Sequence, residues 1–373
     1  MSDTFKIVDL FAGPGGFDVA ARNLGVEVVE GIEWDEDACT TRLAADLPTE
    51  RGDVRKFGPN HYSDANVLVG GPPCQTFTVA GNGEGRAALN EVSKFAERYA
   101  EVKIVEDFAS IGEELKHLSD ERTGLVLEPL RWALEALLRE TTQPYQAIVL
   151  EQVPAVLPVW KVFAGILEGK GYKVADPKVL RTEEFGVPQT RRRAILIARW
   201  AGPGALLQEE PKLPKPTHRH YSRSTTRDAG KTGLKEPVTM EMVLARRAPY
   251  EVVSNYGTGG DPRARGRRRH DQPSATVTGK GSRNKLVWGD HKLGEFDLHE
   301  LGQLQTFPAD YPWRRRNGDD AKAPGARSVI AQQIGNAVPP RFGMHILAAA
   351  LGLDAALESA LKRPLTWQSY EAE

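Results

Sequence analysis

The sequence predicts a doubly wound α/β fold, a Rossmann-like mixed sheet with helices on both faces, joined to a second, smaller and irregular domain. Three observations predict it. Short β-branched runs alternate with helical patterns over the first two hundred residues. A Gly-rich turn, Ala12-Gly13-Pro14-Gly15-Gly16, joins the first strand to the first helix. The alternation then stops after Arg199 in a stretch broken by Gly202, Pro203, Gly204, Pro211, Pro214 and Pro216.

Taken in order, the runs Phe5–Leu10, Val26–Ile32, Asn66–Gly70, Gln146–Leu150, Tyr172–Val179 and Arg193–Arg199 read as strands. Between them Gly16–Leu24, Glu36–Asp46 and Leu127–Glu140 carry apolar residues at three- and four-residue steps and read as helices. Residues 84–118 keep one apolar face and read as an added helical element, more simply a packing layer than a lid. Ala326–Leu353 is again helical and apolar. The organisation expected is therefore an α/β domain over 1–199, an irregular, basic module over 200–325, and a segment over 326–373 that returns to the first domain.

Composition narrows the function. The chain of 373 residues has a formal net charge of −1, yet residues 181–285 hold 22 Lys and Arg against 10 Asp and Glu. This local excess, peaking at Arg263, Arg265, Arg267, Arg268 and Arg269, is of the kind that neutralises phosphates. No apolar run is long enough to cross a bilayer, and the first residues lack a signal-peptide pattern, so a cytoplasmic protein is expected. The two cysteines, Cys39 and Cys74, support neither a disulfide framework nor a zinc site. Cys39, inside a helical pattern, reads as core filler.

Three strand ends describe a nucleoside pocket. The first strand ends in Leu10-Phe11 before the glycine turn, where a backbone must approach a ligand closely. The second ends in Glu33-Trp34, a carboxylate placed for ribose hydroxyls beside an aromatic placed for adenine. Gly52-Asp53-Val54 offers an acceptor for an exocyclic amine. With no pyrophosphate clamp, the pocket suits S-adenosylmethionine better than a dinucleotide.

Three further segments carry chemistry. Gly70-Gly71-Pro72-Pro73-Cys74 is a rigid turn that presents a thiol at a strand tip, as a nucleophile requires. The strand ending at Leu150 delivers Glu151 to the same edge, where an apolar setting favours a protonated carboxyl able to act as an acid. Gln189-Thr190-Arg191-Arg192-Arg193 precedes an apolar strand and turns arginines toward that cleft. Methylation of cytosine at carbon 5 needs this set, because that carbon is too electron-poor to attack a sulfonium methyl until a thiolate adds at carbon 6.

In order along the chain, Phe11-Ala12-Gly13-x-Gly15-Gly16, Glu33-Trp34, Gly52-Asp53, Pro72-Pro73-Cys74-Gln75, Glu151-x-Val153, Gln189-x-Arg191-x-Arg193, Gln272-Pro273-Ser274-x-Thr276 and Gln333-Ile334-Gly335-Asn336-Ala337-Val338-Pro339-Pro340 resemble the cytosine-5 DNA methyltransferase family. The resemblance implies a nucleophilic Cys74, Glu151 at ring N3, Arg193 supporting a cytosine flipped out of duplex DNA, and Arg191 near the nucleophile loop, with 1–199 as the catalytic and cofactor-binding domain and 200–325 as the target-recognition domain and hinge. It implies that Phe11, Gly13, Gly15, Gly16, Glu33, Trp34, Asp53, Leu125 and Asn336 contact S-adenosylmethionine, with the flanking Ala12, Val54, Pro73 and Ala337 in the same pocket. Gln75, Gln189 and the arginines of 263–269 are assigned to DNA, and a cognate restriction endonuclease is an expected partner. The chain departs from the family at Gln152, where Asn usually braces the nucleophile turn. Activity is expected to survive because an amide is retained. RNA as substrate is a competing expectation, weakened because the Cys-Phe-Thr signature of the RNA-modifying branch is missing. A catalytically silent DNA-binding relative is another, weakened because Cys74 and Glu151 are both retained.

Overall fold

Successive residues of a strand face opposite sides of its sheet, so an apolar run covered on both faces must divide its side chains between two cores. The computed structural model, which describes residues 4–73, 84–116, 121–222, 233–247, 249–254, 266–281, 284–316, 325–363 and 367, shows that division. Leu68, Ile148, Leu150, Leu196 and Ala198 face one core, while Val67, Val69, Val149, Ile195 and Ile197 face the other.

The strands are β1 (Lys6–Leu10), β2 (Glu27–Glu33), β3 (Thr49–Arg51), β4 (Val67–Gly70), β5 (Ala147–Gln152), β6 (Tyr172–Arg181) and β7 (Arg192–Trp200). They form one sheet in the order β3-β2-β1-β4-β5-β7-β6, in which β7 runs antiparallel to both of its neighbours. The helices of this part are α1 (Gly16–Asn23), α2 (Glu36–Ala44), α3 (Glu84–Glu101), α4 (Asp107–Leu115), α5 (Glu128–Leu138) and α6 (Leu157–Gly169). The expected single helical element over 84–118 is thus two helices, and α6 was not expected. Helices α3 to α6 supply Val92, Tyr99, Phe108, Trp132, Trp160 and Phe163 to the first core. Helix α1 supplies Phe17 and Ala20 to the second.

Beyond β7 come α7 (Met240–Val243), β8 (Glu251–Val253), β9 (Arg267–Arg269), β10 (Lys285–Trp288) and β11 (His291–Gly294), the four strands pairing antiparallel in the order β11-β10-β8-β9. Helix α8 (Leu298–Leu304) follows, its start closed by a reciprocal cap in which Asp297 accepts from Glu300 N and Glu300 from Asp297 N. A third core gathers Tyr250, Leu286, Phe296, Tyr311, Trp313 and Ile330 with Val19, Ala45 and Leu47 of the first part. The predicted helix Ala326–Leu353 is broken at Pro339 into α9 (Ala326–Asn336) and α10 (Pro340–Leu351), followed by α11 (Asp354–Ala360). Helix α9 joins the third core, whereas α10 supplies Phe342, Ile346 and Leu347 to the sheet's second core.

Candidate active site

The ladder register aligns the site. Ile32, Leu10, Gly70, Leu150 and Leu196 stand side by side across β2, β1, β4, β5 and β7. The four parallel strands end just past this line, and β7, running the other way, begins there. At about 4.8 Å per strand, the tips of β2 and β5 lie about 14 Å apart. Ligands of open α/β sheets bind outside such carboxyl ends.

At the cofactor end, Phe11 has φ of 61°, a conformation that a bulky side chain adopts only when its surroundings force it. Glu33 is buried. Its Oε2 accepts from Gly13 N at 2.8 Å, and its Oε1 accepts from Trp34 N at 2.9 Å and Asp35 N at 2.8 Å. Burial still holds this carboxyl above its ordinary range. A carboxylate has about four acceptor sites, so roughly one remains for a hydroxyl. Trp34 is 55% exposed, which favours a stacking surface over the buried aromatic the apolar strand also allowed.

Space around the turn follows the same division. A methyl group on Gly13 would meet nothing within 4 Å, whereas one on Gly16 would lie 2.3 Å from the Val338 carbonyl. The first glycine therefore faces open room, and the second lets the 337–339 segment close against the turn. Beneath it a buried ion pair holds α1 to α2: Arg42 Nη1 and Nη2 donate to Asp18 Oδ2 at 2.8 Å and Oδ1 at 2.7 Å. Tyr311 donates to the Pro14 carbonyl. Sequence reasoning missed both, since neither partner lies within helical spacing of the other.

Asp53 accepts from Arg55 N at 3.0 Å and pairs with the Arg55 guanidinium. Burial raises its carboxyl, but these bonds outweigh burial and hold it below its ordinary value. Ala12, Val54, Leu125 and Ala337 are buried, Gly15 turns the backbone at φ of 101°, and Asn336 is exposed, its Oδ1 accepting from Gln332 at 2.8 Å. Cys39 is buried against the Glu33 carbonyl and its thiol is pushed up to about 12, chiefly by burial, as befits filler.

At the other end, Glu151 stands opposite Ile195 in the β5–β7 ladder, and the two-residue period puts Arg193 and Arg191 on the same face. Glu151 is buried, with Oε1 2.7 Å from Arg193 Nε. That contact is an ion pair without hydrogen-bond alignment, so Oε1 keeps its accepting capacity. A methyl on Gly71 would sit 4.0 Å from Glu151 Oε2, which places the Gly71–Pro73 turn beside the carboxylate. Gln152 Nε2 donates to the Pro72 carbonyl, so the longer amide does brace the turn. Pro73 is half-buried, and Cys74 and Gln75 lie outside the described residues.

Arg191 is buried, donating through Nη1 to the Val277 carbonyl at 3.1 Å and the Gly335 carbonyl at 2.9 Å. Burial, then the neighbouring Arg193, pulls its guanidinium well below the ordinary value. Gln189 calls for a correction of its assignment to the DNA surface. Its side chain is wholly buried, with the amide donating to Leu304 O at 2.9 Å and accepting from Val277 N at 2.9 Å. It joins the start of β7 to the 272–277 segment, where Thr190 N donates to Ser274 O at 2.9 Å.

On the four-stranded sheet, Arg267 and Arg269 are exposed on one face of β9, paired with Glu251 and Asp271. Such surface pairs contribute about 0–1 kcal/mol and exchange readily for phosphates. Arg268 lies over the Tyr221 ring at 5.2 Å. Arg263 and Arg265 lie outside the described residues.

A seven-stranded sheet with this order and its Gly-rich first turn defines the Rossmann-like fold of S-adenosylmethionine-dependent methyltransferases. Solved structures agree in fold: the Dnmt2 methyltransferase of S. pombe has a TM-score of 0.60 at 16% identity, covering 93% of this chain and 98% of that one. The EhMeth methyltransferase of Entamoeba histolytica has a TM-score of 0.56 at 13% identity, covering 97% and 100%. The family profile described as C-5 cytosine-specific DNA methylase matches residues 5–96 and 106–351, and the chain belongs to that family. Among its relatives, the Type II methyltransferase M1.HphI of Haemophilus parahaemolyticus is 26% identical over 379 residues, covering 93% of this chain and 87% of its own length. M.HpaII of Haemophilus parainfluenzae is 28% identical over 367 residues, covering 91% and 87%.

Proposed function

We propose that this protein is a DNA cytosine-5 methyltransferase that acts through a covalent bond between Cys74 Sγ and carbon 6 of a cytosine flipped out of duplex DNA. The observation that carries this reading is the buried Glu151 carboxyl, held by Arg193 and set beside the turn whose next residue is Cys74. Family membership supports DNA as the substrate.

The cofactor end fits S-adenosylmethionine: open room above Gly13, an exposed ring at Trp34, and carboxylates at Glu33 and Asp53. Phe11, Gly13, Glu33, Trp34, Asp53 and Asn336 would hold it. When bound, it supplies an electrophilic methyl on a sulfonium centre.

The chain's own residues do the rest. The Cys74 thiolate forms a bond to carbon 6, and the electron pair of the 5,6 double bond moves into the ring. Glu151 gives a proton or hydrogen bond to N3 and stabilises the charge that develops there, an effect commonly worth about 10²–10⁴ in rate. Arg193, with donors beyond the one facing Glu151, binds the ring carbonyl. Carbon 5 becomes nucleophilic and takes the methyl. Loss of its proton and departure of the thiolate restore the double bond and free Cys74.

Labelled methyl should pass from S-adenosylmethionine to unmethylated duplex DNA, and Cys74→Ala should abolish it. A duplex holding 5-fluorocytosine should trap the native protein covalently, because the fluorine blocks loss from carbon 5. Absence of transfer to any unmethylated genomic DNA would overturn the proposal, and trapping on RNA alone would redirect it. The Type II names of the relatives support a further part of the reading, protection of a recognition sequence against a cognate restriction endonuclease in the cytoplasm. Bisulfite sequencing of host DNA reads that sequence.

A further inference from the structure

A group of basic side chains lines a cavity of about 300 Å³ between α10, the turn at Gly186 and the two passes of chain at Thr217–His218 and Lys235. None of its residues belongs to the set assigned to methyl transfer. His218, Lys235, Arg341 and His345 all face it, and no carboxylate is among the described lining residues.

Two of these groups each hold one buried nitrogen without a hydrogen-bond partner. His345 is 2% exposed and its Nε2 has no hydrogen-bond partner, and the buried Arg341 Nε has none either. The His218 ring, fixed by a 2.9 Å contact between Nδ1 and Thr217 Oγ1, approaches the same point. A methyl on Gly186 would lie 2.7 Å from His218 Cε1 and 3.3 Å from Arg341 Nε, and Gly186 itself has φ of 78°. The backbone thus keeps clear the space between ring and guanidinium.

Holding a half-buried guanidinium with a buried, unpaired Nε beside a buried imidazole nitrogen that also lacks a partner is costly, because buried polar atoms are ordinarily satisfied. An anion would satisfy them together. We infer that this cavity is an anion site that takes the tetrahedral oxyanion of a phosphate group, held by Arg341, His345, His218 and Lys235 over the first turns of α10. Helix α10 has 12 residues, and although the Arg341 amide at its start already donates to Thr306 Oγ1 at 3.0 Å, its dipole adds to the attraction. Burial, then the Arg341 charge, lowers His218 to about 4 and His345 to about 3. In the empty cavity the rings are therefore neutral near pH 7, and the positive charge rests on Arg341 and Lys235. The phosphate can come from the DNA backbone or from free phosphate, since the chemistry of recognition is the same.

The test follows the imidazole resonances of the full-length protein during titration with inorganic phosphate and, separately, with a duplex that contains no cytosine. At least one probe should shift His218 and His345 saturably. Arg341→Gln should weaken that response about tenfold and the surface change Lys235→Gln about threefold. Arg341→Gln removes a half-buried cation whose buried Nε has no partner, so without phosphate it should unfold at no lower temperature than the native protein. A response to duplex that phosphate competes away supports a backbone phosphate, and a response to phosphate alone supports the free ion. No saturable shift with either probe, or equal affinity in native protein and both variants, overturns the inference. Neither probe engages the cytosine chemistry, so the result stands apart from the methyl-transfer reading.

Discussion

Gln152→Ala isolates the brace of the nucleophile turn. In the native chain the Gln152 amide, buried at the end of β5, donates to the Pro72 carbonyl two residues before Cys74. Pro72 is itself buried, so removing the donor leaves a carbonyl without a partner or lets the turn move to find one. The first outcome costs about 1–3 kcal/mol. If the turn relaxes instead, the same free energy becomes the population lost from the reactive geometry. One to three kcal/mol corresponds to about 5- to 150-fold in rate. Single-turnover transfer of labelled methyl to duplex DNA measures it, with affinity for S-adenosylmethionine as the control, expected to change by less than about twofold because Gln152 does not face that pocket. Gln152→Asn, which restores the residue usual in the family on a shorter arm, should fall between alanine and the native rate. An alanine variant within about twofold of native would show that the brace does not position Cys74. An asparagine variant far faster than native would show that the longer amide is a defect.

Three further outcomes are expected. Asp18→Asn should destabilise the protein by about 3–5 kcal/mol in urea unfolding, because Arg42 stays buried without its counter-charge, and adding Arg42→Met should recover part of that loss. Glu151→Gln should lower the rate at saturating DNA by about 10²–10⁴ with cofactor affinity unchanged, since the amide cannot give a proton to N3. Asp9 is buried with neither oxygen hydrogen-bonded, and burial, then the nearby Asp18, raises its carboxyl well above the ordinary range. The folded chain therefore keeps this proton to higher pH than the unfolded chain does, and the stability it contributes is complete in acid and lost as pH rises through the raised value. Asp9→Asn lacks that loss, so its stability relative to native should increase from acid toward neutral pH in paired urea titrations. A difference independent of pH would contradict this.

The strands that hold the site were legible because both of their faces are covered. Runs such as Val67–Gly70 and Ala147–Leu150 had no polar face to confuse with a loop. Strand β3 was not, since Thr49-Glu50-Arg51 is a three-residue edge whose pairing with β2 rather than its composition makes it a strand. Helix α6 was missed because Leu157–Gly169 is apolar nearly all round and lacks a clear stripe. At the site, the residue types at the strand ends were readable, but their partners were not. That Glu151 would face Arg193 depended on β7 running antiparallel, and Gln189 was misplaced because an amide before a basic run looks the same whether it meets DNA or Leu304. The Gln152 brace depended on the reach of one extra methylene, which spacing does not encode.

All seven strands of the main sheet are complete by Trp200, yet α10, which covers part of one face, begins at Pro340. During synthesis the whole of residues 201–337 must therefore emerge before Ile7, Val69, Val149 and Ile197 meet Phe342 and Ile346, and before the Val338 carbonyl seats against Gly16. Contacts of such long sequence separation form late and slowly, and an apolar sheet face left open in the meantime is prone to aggregate. A nascent or truncated chain ending near residue 200 would hold most of the chemical groups of the site and neither a finished core nor a finished cofactor turn. The sheet face and the Gly16 turn are thus completed only when the last helices arrive.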